Sequence, residues 1–237
     1  QARRAWEERF AAYRARYPAL AAEIDAMQTR ELPGGWDRNL PTFPADATGI
    51  AGRDASALVL NVLAQNIPWF LGGSADLGPS NKTTLKFAGA GDVEPGTPGG
   101  RNLHFGIREH AMAAAVNGMA LSKLRPFGAT FFIFSDYARP AIRLSALMEL
   151  PTVFVFTHDA MGDGEDGPTH QPIEQLASLR AMPGMTVLRP GDANEVTEAY
   201  RFVLQQKHRP TILVLSRQPL PTLDRSQFAP ADELRKG

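Results

Sequence analysis

The sequence predicts an α/β protein with a mostly parallel sheet covered by helices on both faces. Short apolar runs recur along the chain, and the clearest of them, Thr152 to Thr157, shows no alternation with polar residues. Amphipathic stretches separate these runs, and loops rich in polar residues follow them. Strands that are buried on both faces have this continuous apolar character, because helices cover a parallel sheet from two sides.

The predicted elements alternate regularly after residue 48. Four helical stretches are expected at 54–66, 108–124, 138–149 and 193–206, with a shorter one at 172–181. A glycine-rich loop is expected at 87–101. Predicted strands cover Trp69–Leu71, Phe127–Phe134, Thr152–Thr157, 185–188 and 211–216.

The first 48 residues form a segment of a different kind. Apolar residues between Trp6 and Met27 recur at helical spacing, which predicts a helical hairpin or a long helix broken near Pro18. Residues 32–48 contain three prolines and two glycines, so we expect a linker there. The predicted domains are therefore a helical linker segment at 1–48, a main domain at 49–225 and the start of a second linker at 226–237.

Composition excludes several functional classes. The 237 residues carry 25 basic and 25 acidic side chains, and this balance gives no indication of nucleic-acid binding. The chain has no cysteine, so disulfides, thiolate metal sites and thiol nucleophiles are excluded, and we expect a cytoplasmic protein. No apolar run approaches the ~20 residues that span a membrane. Because residue 1 is Gln, we expect the chain to begin inside a longer reading frame or after processing.

Glu109 is the first candidate for a catalytic role. It lies in the first turn of a predicted helix, where an ordinary acid would stabilise the helix dipole. Phe105 and the run Phe131–Phe134 supply an apolar wall against which the carboxyl group would be poorly hydrated. Such a carboxyl group is suited to share a proton with a heterocyclic nitrogen.

Three aromatic residues could line a flat ligand. Phe131, Phe134 and Tyr137 are spaced by three residues, which in a helix would indicate core packing. In a regular strand, Phe131 and Phe134 would lie on opposite faces, so at least one of them would point away from a shared core. A stacked aromatic ligand beside the end of the strand is a plausible use for them.

The loop Gly164–Pro172 concentrates groups that handle protons. It carries Glu165, Asp166 and His170 between glycines and prolines, and His158 lies at the end of the strand before it. A structural role for a single strand-end histidine is the alternative. A metal site built from His158, Asp166 and His170 is not favoured, because their spacing does not match a usual ligand pattern.

Three groups favour an anion. Arg53 lies at the start of a helix, Ser80 lies in a Gly-Pro-Ser-Asn turn, and Arg217 follows the last strand. Helix starts, serine loops and guanidinium groups all suit phosphate, although a solvated Arg and a capping Ser are equally consistent with the sequence. The chain has neither a Walker loop nor a Gly-x-Gly-x-x-Gly turn after a strand.

Taken together, these segments resemble the pyrimidine-binding domain of the transketolase family. The resemblance covers roughly residues 1 to 220 and rests on motifs in the family's order: Gly72–Asn81, Gly106–His110, Phe134–Arg139, Thr157–Asp159, Gly164–Pro172 and Leu215–Gln218. Asp163 departs from the family pattern and would add a negative charge close to the site. Relatives such as deoxyxylulose-phosphate synthase share the glutamate but not the whole set.

The resemblance implies a role for each candidate residue. Glu109 would hydrogen-bond the aminopyrimidine of thiamine diphosphate, and Phe131, Phe134 and Tyr137 would line its pocket. His158, His170 and Asp166 would contact substrate hydroxyls, with the histidines assisting proton transfer. The distal phosphate of the sugar would be surrounded by Arg53, Ser80, His158 and Arg217.

The resemblance also implies partners outside this chain. The diphosphate and its Mg²⁺ or Ca²⁺ would be bound by an N-terminal domain, no metal ligand would lie on this chain, and the site would form between two subunits of a homodimer. The reaction would be the transfer of a two-carbon unit between sugar phosphates in the pentose phosphate pathway. Dihydroxyacetone synthase and a non-catalytic interaction module with the same fold are the alternatives, and neither nucleic acid nor membrane is an expected partner.

Overall fold

A six-stranded sheet, parallel throughout, forms the centre of the computed structural model, which describes residues 1–162 and 166–236. Its strand order is β3-β2-β4-β5-β7-β6. The predicted α/β class is confirmed. The strands of this sheet are β2 (Phe70–Ser74), β3 (Asn102–His104), β4 (Arg125–Phe131), β5 (Val153–Thr157), β6 (Thr186–Leu188) and β7 (Thr211–Leu215).

Helices lie on both faces of the sheet. Successive residues of β5 point to opposite sides, so Val153 and Val155 join one core cluster while Phe154 and Phe156 join another. Helices α3 and α8 pack in the first cluster and α5 and α6 in the second. The helices are α1 (Ala2–Arg16), α2 (Pro18–Thr29), α3 (Gly52–Asn66), α4 (Gly78–Asn81), α5 (Glu109–Leu121), α6 (Ser135–Leu147), α7 (Gln175–Arg180) and α8 (Ala193–Gln205).

The N-terminal segment forms the predicted helical hairpin. Helix α1 ends at Arg16, and Tyr17 leaves the helical conformation, with φ −133° and ψ 65°, because the following Pro18 disfavours a helical one. No residue of α1 is buried, whereas Met27 and Trp36 pack against the α3–α8 side of the core. The second half of this segment is therefore held on the domain by apolar contacts.

A second, two-stranded sheet was not expected from the sequence. Strands β1 (Asp46–Ala51) and β8 (Pro219–Thr222) pair antiparallel, with Ile50 opposite Leu220. Proline lacks the N–H that a sheet requires, so the two prolines of β8 conceal this strand in the sequence. The end of the predicted linker is thus a strand that closes against the chain after β7.

Other boundaries also differ from the expectations. The predicted strand Phe127–Phe134 begins earlier, at Arg125, and ends at Phe131, because Phe132–Phe134 form a 3₁₀ turn that leads into α6. The short strand β3 was not predicted. Helix α7 covers only part of the predicted 172–181 stretch.

Two glycines allow β2 to lie between its neighbours. A Cβ atom added to Gly72 would lie 2.1 Å from the carbonyl oxygen of Phe127 on β4. One added to Gly73 would lie 1.7 Å from the carbonyl oxygen of Leu103 on β3. Both distances are far below van der Waals contact, so only glycine fits at these two positions.

We predict that Gly73→Ala lowers the free energy of unfolding by about 1–3 kcal/mol, since the backbone of β3 must move to admit the methyl group. Urea unfolding followed by circular dichroism measures the change. Gly99→Ala is the matched control, because no atom lies within 4 Å of its added Cβ. Equal stability of the two variants would contradict the proposed steric constraint.

Candidate functional site

The candidate site lies at the carboxyl ends of three adjacent strands. In the register of the sheet, Phe131 of β4 is opposite Thr157 of β5, and Thr157 is opposite Leu215 of β7. The three strands therefore end at the same level. The residues that follow them, including His158 and Arg217, must start from one edge of the sheet, which is where ligands of open α/β sheets bind.

Four aromatic rings meet at this edge. The rings of Phe131 and Phe134 are nearly parallel, with centroids 5.9 Å apart. His170 approaches Phe134 edge-on at 5.2 Å, and the ring of His158 lies 3.7 Å from that of Phe131. The expectation that Phe131 and Phe134 lie on opposite faces is wrong, because the 3₁₀ turn after β4 rotates Phe134 back beside Phe131.

Tyr137 extends this aromatic group towards solvent. Its ring lies 6.0 Å from that of Phe134, and 66% of its surface is exposed. The structure thus brings the three predicted aromatic residues together, with Phe131 buried and Tyr137 at the outside.

Glu109 is buried although it is an acid. It is the first residue of α5, where the helix dipole favours a negative charge. Thr130 of β4 donates a hydrogen bond from Oγ1 to Glu109 Oε1 at 3.2 Å. Among the residues that the structure describes, the carboxyl group has no other hydrogen-bond partner. Because Thr130 directly precedes Phe131, the carboxyl group is tied to the end of β4.

His158 is buried and held in an unusual backbone conformation. Its φ of 63° lies in the left-handed region, which few residues other than glycine adopt. Its pKa is lowered from 6.5 to about 4, chiefly by burial; the positive charges of Arg53 and Arg217 act in the same direction, while Asp166 opposes them. His158 is therefore neutral at neutral pH.

A chain of hydrogen bonds anchors His158 to the end of β2. Thr157 Oγ1 lies 2.8 Å from His158 Nδ1 and 2.7 Å from the side-chain amide of Asn81. That amide lies 2.9 Å from Ser74 Oγ, which also accepts a hydrogen bond from the backbone N–H of Leu77. Sequence reasoning assigned no role to Ser74, Asn81 or Thr157. Ser74 and Thr157 could have been found as polar residues at the ends of otherwise apolar strands, whereas Asn81 is at the end of α4 and carries no such signal.

The predicted anion-binding groups are close together. Arg53 donates a hydrogen bond from Nη1 to the carbonyl oxygen of Ser80 at 3.1 Å, and its backbone N–H donates to the carbonyl oxygen of Ser216. Ser216 is the residue before Arg217, so the start of α3 lies beside the loop after β7. Both arginines act electrostatically on His158, which places the three side chains around one region.

Part of the predicted proton-handling loop lies within the described residues. Asp163, Gly164 and Glu165 lie outside them. Pro168–His170 form a 3₁₀ turn, and Thr169 Oγ1 lies 2.8 Å from His170 Nδ1. Asp166 and His170 both act electrostatically on His158.

The segment after this loop is fixed to α6. Gln175 donates a hydrogen bond from Nε2 to Asp136 Oδ2 at 2.7 Å, and Arg139 donates to the other oxygen of Asp136 at 2.8 Å. Gln175 also accepts the backbone N–H of Ile173. The position of His170 relative to Phe134 thus depends on side chains at the start of α6.

Within the described residues, 1–162 and 166–236, no group of three His, Asp or Glu side chains is arranged to hold a metal ion. No helix in the same residues is both long and apolar enough to cross a membrane.

Comparison with known proteins agrees with this geometry. Residues 48–222 match the family described as the transketolase pyrimidine-binding domain. This chain belongs to the transketolase family. It is 52% identical to the transketolase of Halalkalibacterium halodurans over 98% of its length, a match that covers 34% of the longer protein. The chain thus spans about a third of the curated transketolases it resembles.

Solved transketolase structures have the same fold. The transketolase of Leishmania mexicana superposes with a TM-score of 0.92 at 44% identity, over 99% of this chain and 34% of that protein. The transketolase of Pichia stipitis in complex with sedoheptulose 7-phosphate superposes with a TM-score of 0.91 at 43% identity, over 99% and 35%. The roles of individual site residues in this chain remain predictions.

The lowered pKa of His158 predicts a pH-dependent stability. As the pH falls below 6.5, the unfolded chain takes up a proton at this position before the folded chain does. The free energy of unfolding should therefore be unaffected by His158 above pH 6.5 and should decrease between pH 6.5 and about 4. The His158 ring proton, assigned by its loss in His158→Gln, should titrate near 4 in the folded chain and near 6.5 in urea. A folded-state midpoint near 6.5 would contradict this prediction.

Proposed function

We propose that this chain is the pyrimidine-binding part of a transketolase. The complete enzyme would transfer a two-carbon ketol unit from a ketose phosphate such as xylulose 5-phosphate to ribose 5-phosphate or erythrose 4-phosphate. The observation that supports this most is the buried carboxyl group of Glu109, fixed by Thr130 to β4, the strand that ends at Phe131. Family membership makes a pyrimidine the ligand that this combination fits.

The residues present fit thiamine diphosphate. This cofactor, when bound, supplies an electron sink for cleaving a bond next to a carbonyl group. Glu109 would share a proton with a ring nitrogen of the pyrimidine, since its carboxyl group is buried and has one partner, Thr130, among the described residues. Phe131, Phe134 and Tyr137 would line the ring, because their faces are grouped at the same edge of the sheet.

The same edge offers groups for a phosphorylated sugar. Arg53, Ser80 and Arg217 would bind the distal phosphate, and His158 would add a hydrogen bond to it. Asp166 and His170 would contact hydroxyl groups, with His170 and His158 assisting proton transfer. A sugar phosphate is the ligand of the Pichia stipitis transketolase structure, which supports this class of substrate here.

Binding of the diphosphate requires a part of the enzyme other than the described residues. They contain no cluster suited to Mg²⁺ or Ca²⁺, and the chain spans only 34% of the Halalkalibacterium halodurans transketolase. We therefore assign the diphosphate and its metal ion to another domain. Residues 49–225 would be the pyrimidine-binding unit, between linkers at 1–48 and 226–237.

A second subunit would complete the site. Helices α5 and α6 expose Leu121, Leu144, Leu147 and Met148, of which Leu147 is 70% exposed. Neighbouring exposed apolar side chains indicate a surface that another protein covers. A homodimer in which this surface is buried would also cover the exposed ring of Tyr137 at the start of α6.

We predict that Glu109→Gln reduces transketolase turnover by about 10²–10⁴-fold, because the amide cannot share a proton with the pyrimidine nitrogen. The measurement is a coupled assay with xylulose 5-phosphate and ribose 5-phosphate. It uses a chimera in which this chain replaces the matching third of the Halalkalibacterium halodurans enzyme.

Glu149→Gln provides the control for this assay. Glu149 is exposed beyond the end of α6, which runs from the site towards the opposite edge of the sheet. Its substitution should leave turnover of the chimera unchanged. An active Glu109→Gln chimera would show that Glu109 serves only as an acid at the start of a helix.

The chain by itself should show no transketolase turnover with added thiamine diphosphate and Mg²⁺, since it contributes half of the site. The same coupled assay on the purified chain checks this expectation, with the active chimera as a positive control. Turnover by the chain alone would overturn the assignment of the diphosphate to another domain.

A further inference from the structure

Each hydrogen bond in the chain that ends at His158 has a donor and an acceptor. The protons available to these groups decide in which direction the chain donates. The structure places the Asn81 amide with Nδ2 towards Ser74 Oγ and Oδ1 towards Thr157 Oγ1. In that arrangement Ser74 accepts two hydrogen bonds, one from Asn81 and one from the N–H of Leu77. Its own hydroxyl proton then has no acceptor among the described residues.

An unused hydroxyl proton is costly at this position. Ser74 is buried, and Asn81 and Thr157 are completely buried. Leaving a buried donor unpaired costs about 1–3 kcal/mol. A half-turn of the Asn81 amide exchanges the positions of its oxygen and nitrogen and moves no other heavy atom. Ser74 can then donate to Oδ1, and Nδ2 can donate to Thr157.

After this half-turn the Ser74 hydroxyl has an acceptor, and the chain runs in one direction. The backbone N–H of Leu77 is the one donor whose direction cannot be reversed, and from it each group donates to the next. Thr157 accepts from Asn81, so its single proton is available for His158 Nδ1. Hydrogen bonds that all point the same way polarise and strengthen one another.

The direction of the chain fixes the histidine tautomer. A neutral imidazole carries one proton, so a ring that accepts at Nδ1 must carry it on Nε2. The charges around His158 agree with a donor at Nε2. Arg53 acts on the ring from the start of α3 and Arg217 from the loop after β7, and a third donor beside two guanidinium groups is suited to an anion.

We propose that Ser74, Asn81 and Thr157 are positioning residues that hold His158 as the Nε2–H tautomer, so that this nitrogen donates to a phosphate oxygen. The phosphate part of the proposal rests on the proposed function; the tautomer does not. The left-handed backbone at His158 is the conformation in which its Nδ1 meets Thr157, the preceding residue. A neutral histidine thereby acts as a donor without a second proton.

The test is a long-range ¹H–¹⁵N correlation spectrum of the chain labelled with ¹⁵N-histidine, at neutral pH. A protonated ring nitrogen resonates far upfield of an unprotonated one, so the spectrum distinguishes the tautomers directly. The wild-type chain should show Nε2 protonated and Nδ1 unprotonated, with His158 assigned by the signals lost in His158→Gln. The opposite pattern in the wild-type chain would overturn the proposal.

Asn81→Asp is the variant that tests most directly whether the relay sets the tautomer. The new carboxylate accepts but cannot donate, so the Thr157 proton turns towards it and Nδ1 must become the donor. The Nδ1 signal of His158 should therefore move to the protonated range. If it stays in the unprotonated range while the amide spectrum shows a native fold, the relay does not set the tautomer.

Thr157→Ser and Thr157→Val form a second pair that does not depend on the behaviour of a buried carboxylate. The serine variant keeps the hydroxyl group and should retain the wild-type pattern. The valine variant has the same shape without the donor, and its Nδ1 signal should shift towards that of a ring without a hydrogen bond. Identical Nδ1 signals in both variants would overturn the role of Thr157.

Inorganic phosphate tests the anion separately. Its addition to the wild-type chain should shift the His158 Nε2 signal, and the Asn81→Asp chain should show a smaller shift. No response in the wild-type chain at high phosphate would overturn the donor role towards phosphate. Neither spectrum depends on turnover, so a failure of the transketolase assignment would be seen in the enzyme assay and not here.

Discussion

The in-register ending of three parallel strands is the constraint on which the site depends. Phe131, Thr157 and Leu215 are neighbours across β4, β5 and β7, so the chain leaves all three strands at the same level. Each of the predicted groups then lies within a few residues of a strand end or a helix start. A slip of one residue in this pairing would turn every side chain of a strand to the other face. Because both faces are filled with apolar side chains, the register is strongly fixed.

Burial at this edge forces the polar groups to satisfy one another. Glu109, Thr130 and Thr157 are buried, and an unpaired polar group that is buried costs free energy. Thr130 therefore bonds Glu109, and Thr157 joins His158 to Asn81. The hydrogen bonds that make the edge stable are thus the same ones that hold the candidate site rigid before a ligand binds.

The sequence predicts the parts of the fold that depend on local pattern. The apolar run Thr152–Thr157 differs from strand β5 by one residue, because a strand at the centre of the sheet needs apolar residues on both faces. The run Phe127–Phe134 was extended too far, since Phe132, Ile133 and Phe134 suit a strand equally well. Strand β4 ends at Phe131 only because the chain turns there into α6. Strand β8 depends on a partner 170 residues away and contains two prolines, so no local pattern identifies it.

The candidate site likewise has parts that depend on local pattern and parts that depend on contacts between distant residues. Glu109 and His158 were predicted because a helix start and a strand end are local features. The relay through Ser74 and Asn81 joins β2 and α4 to β5, and no spacing in the sequence encodes that contact.

The distribution of apolar surface explains why this edge is suited to act with a partner. A domain that worked alone would be expected to cover the aromatic rings at its candidate site. Here Tyr137 is 66% exposed and Leu147 is 70% exposed on the same helix, α6. The buried end of the aromatic group, Phe131, is fixed by the sheet, whereas its exposed end, Tyr137, lies on α6, which with α5 carries the exposed apolar surface. A partner that covers that surface would also close the open side of the site, so assembly and completion of the site would be one event. Within the proposed function, the hydrogen bonds around Glu109 and His158 would prepare this chain's half in advance, and dimerisation would add the walls that exclude water.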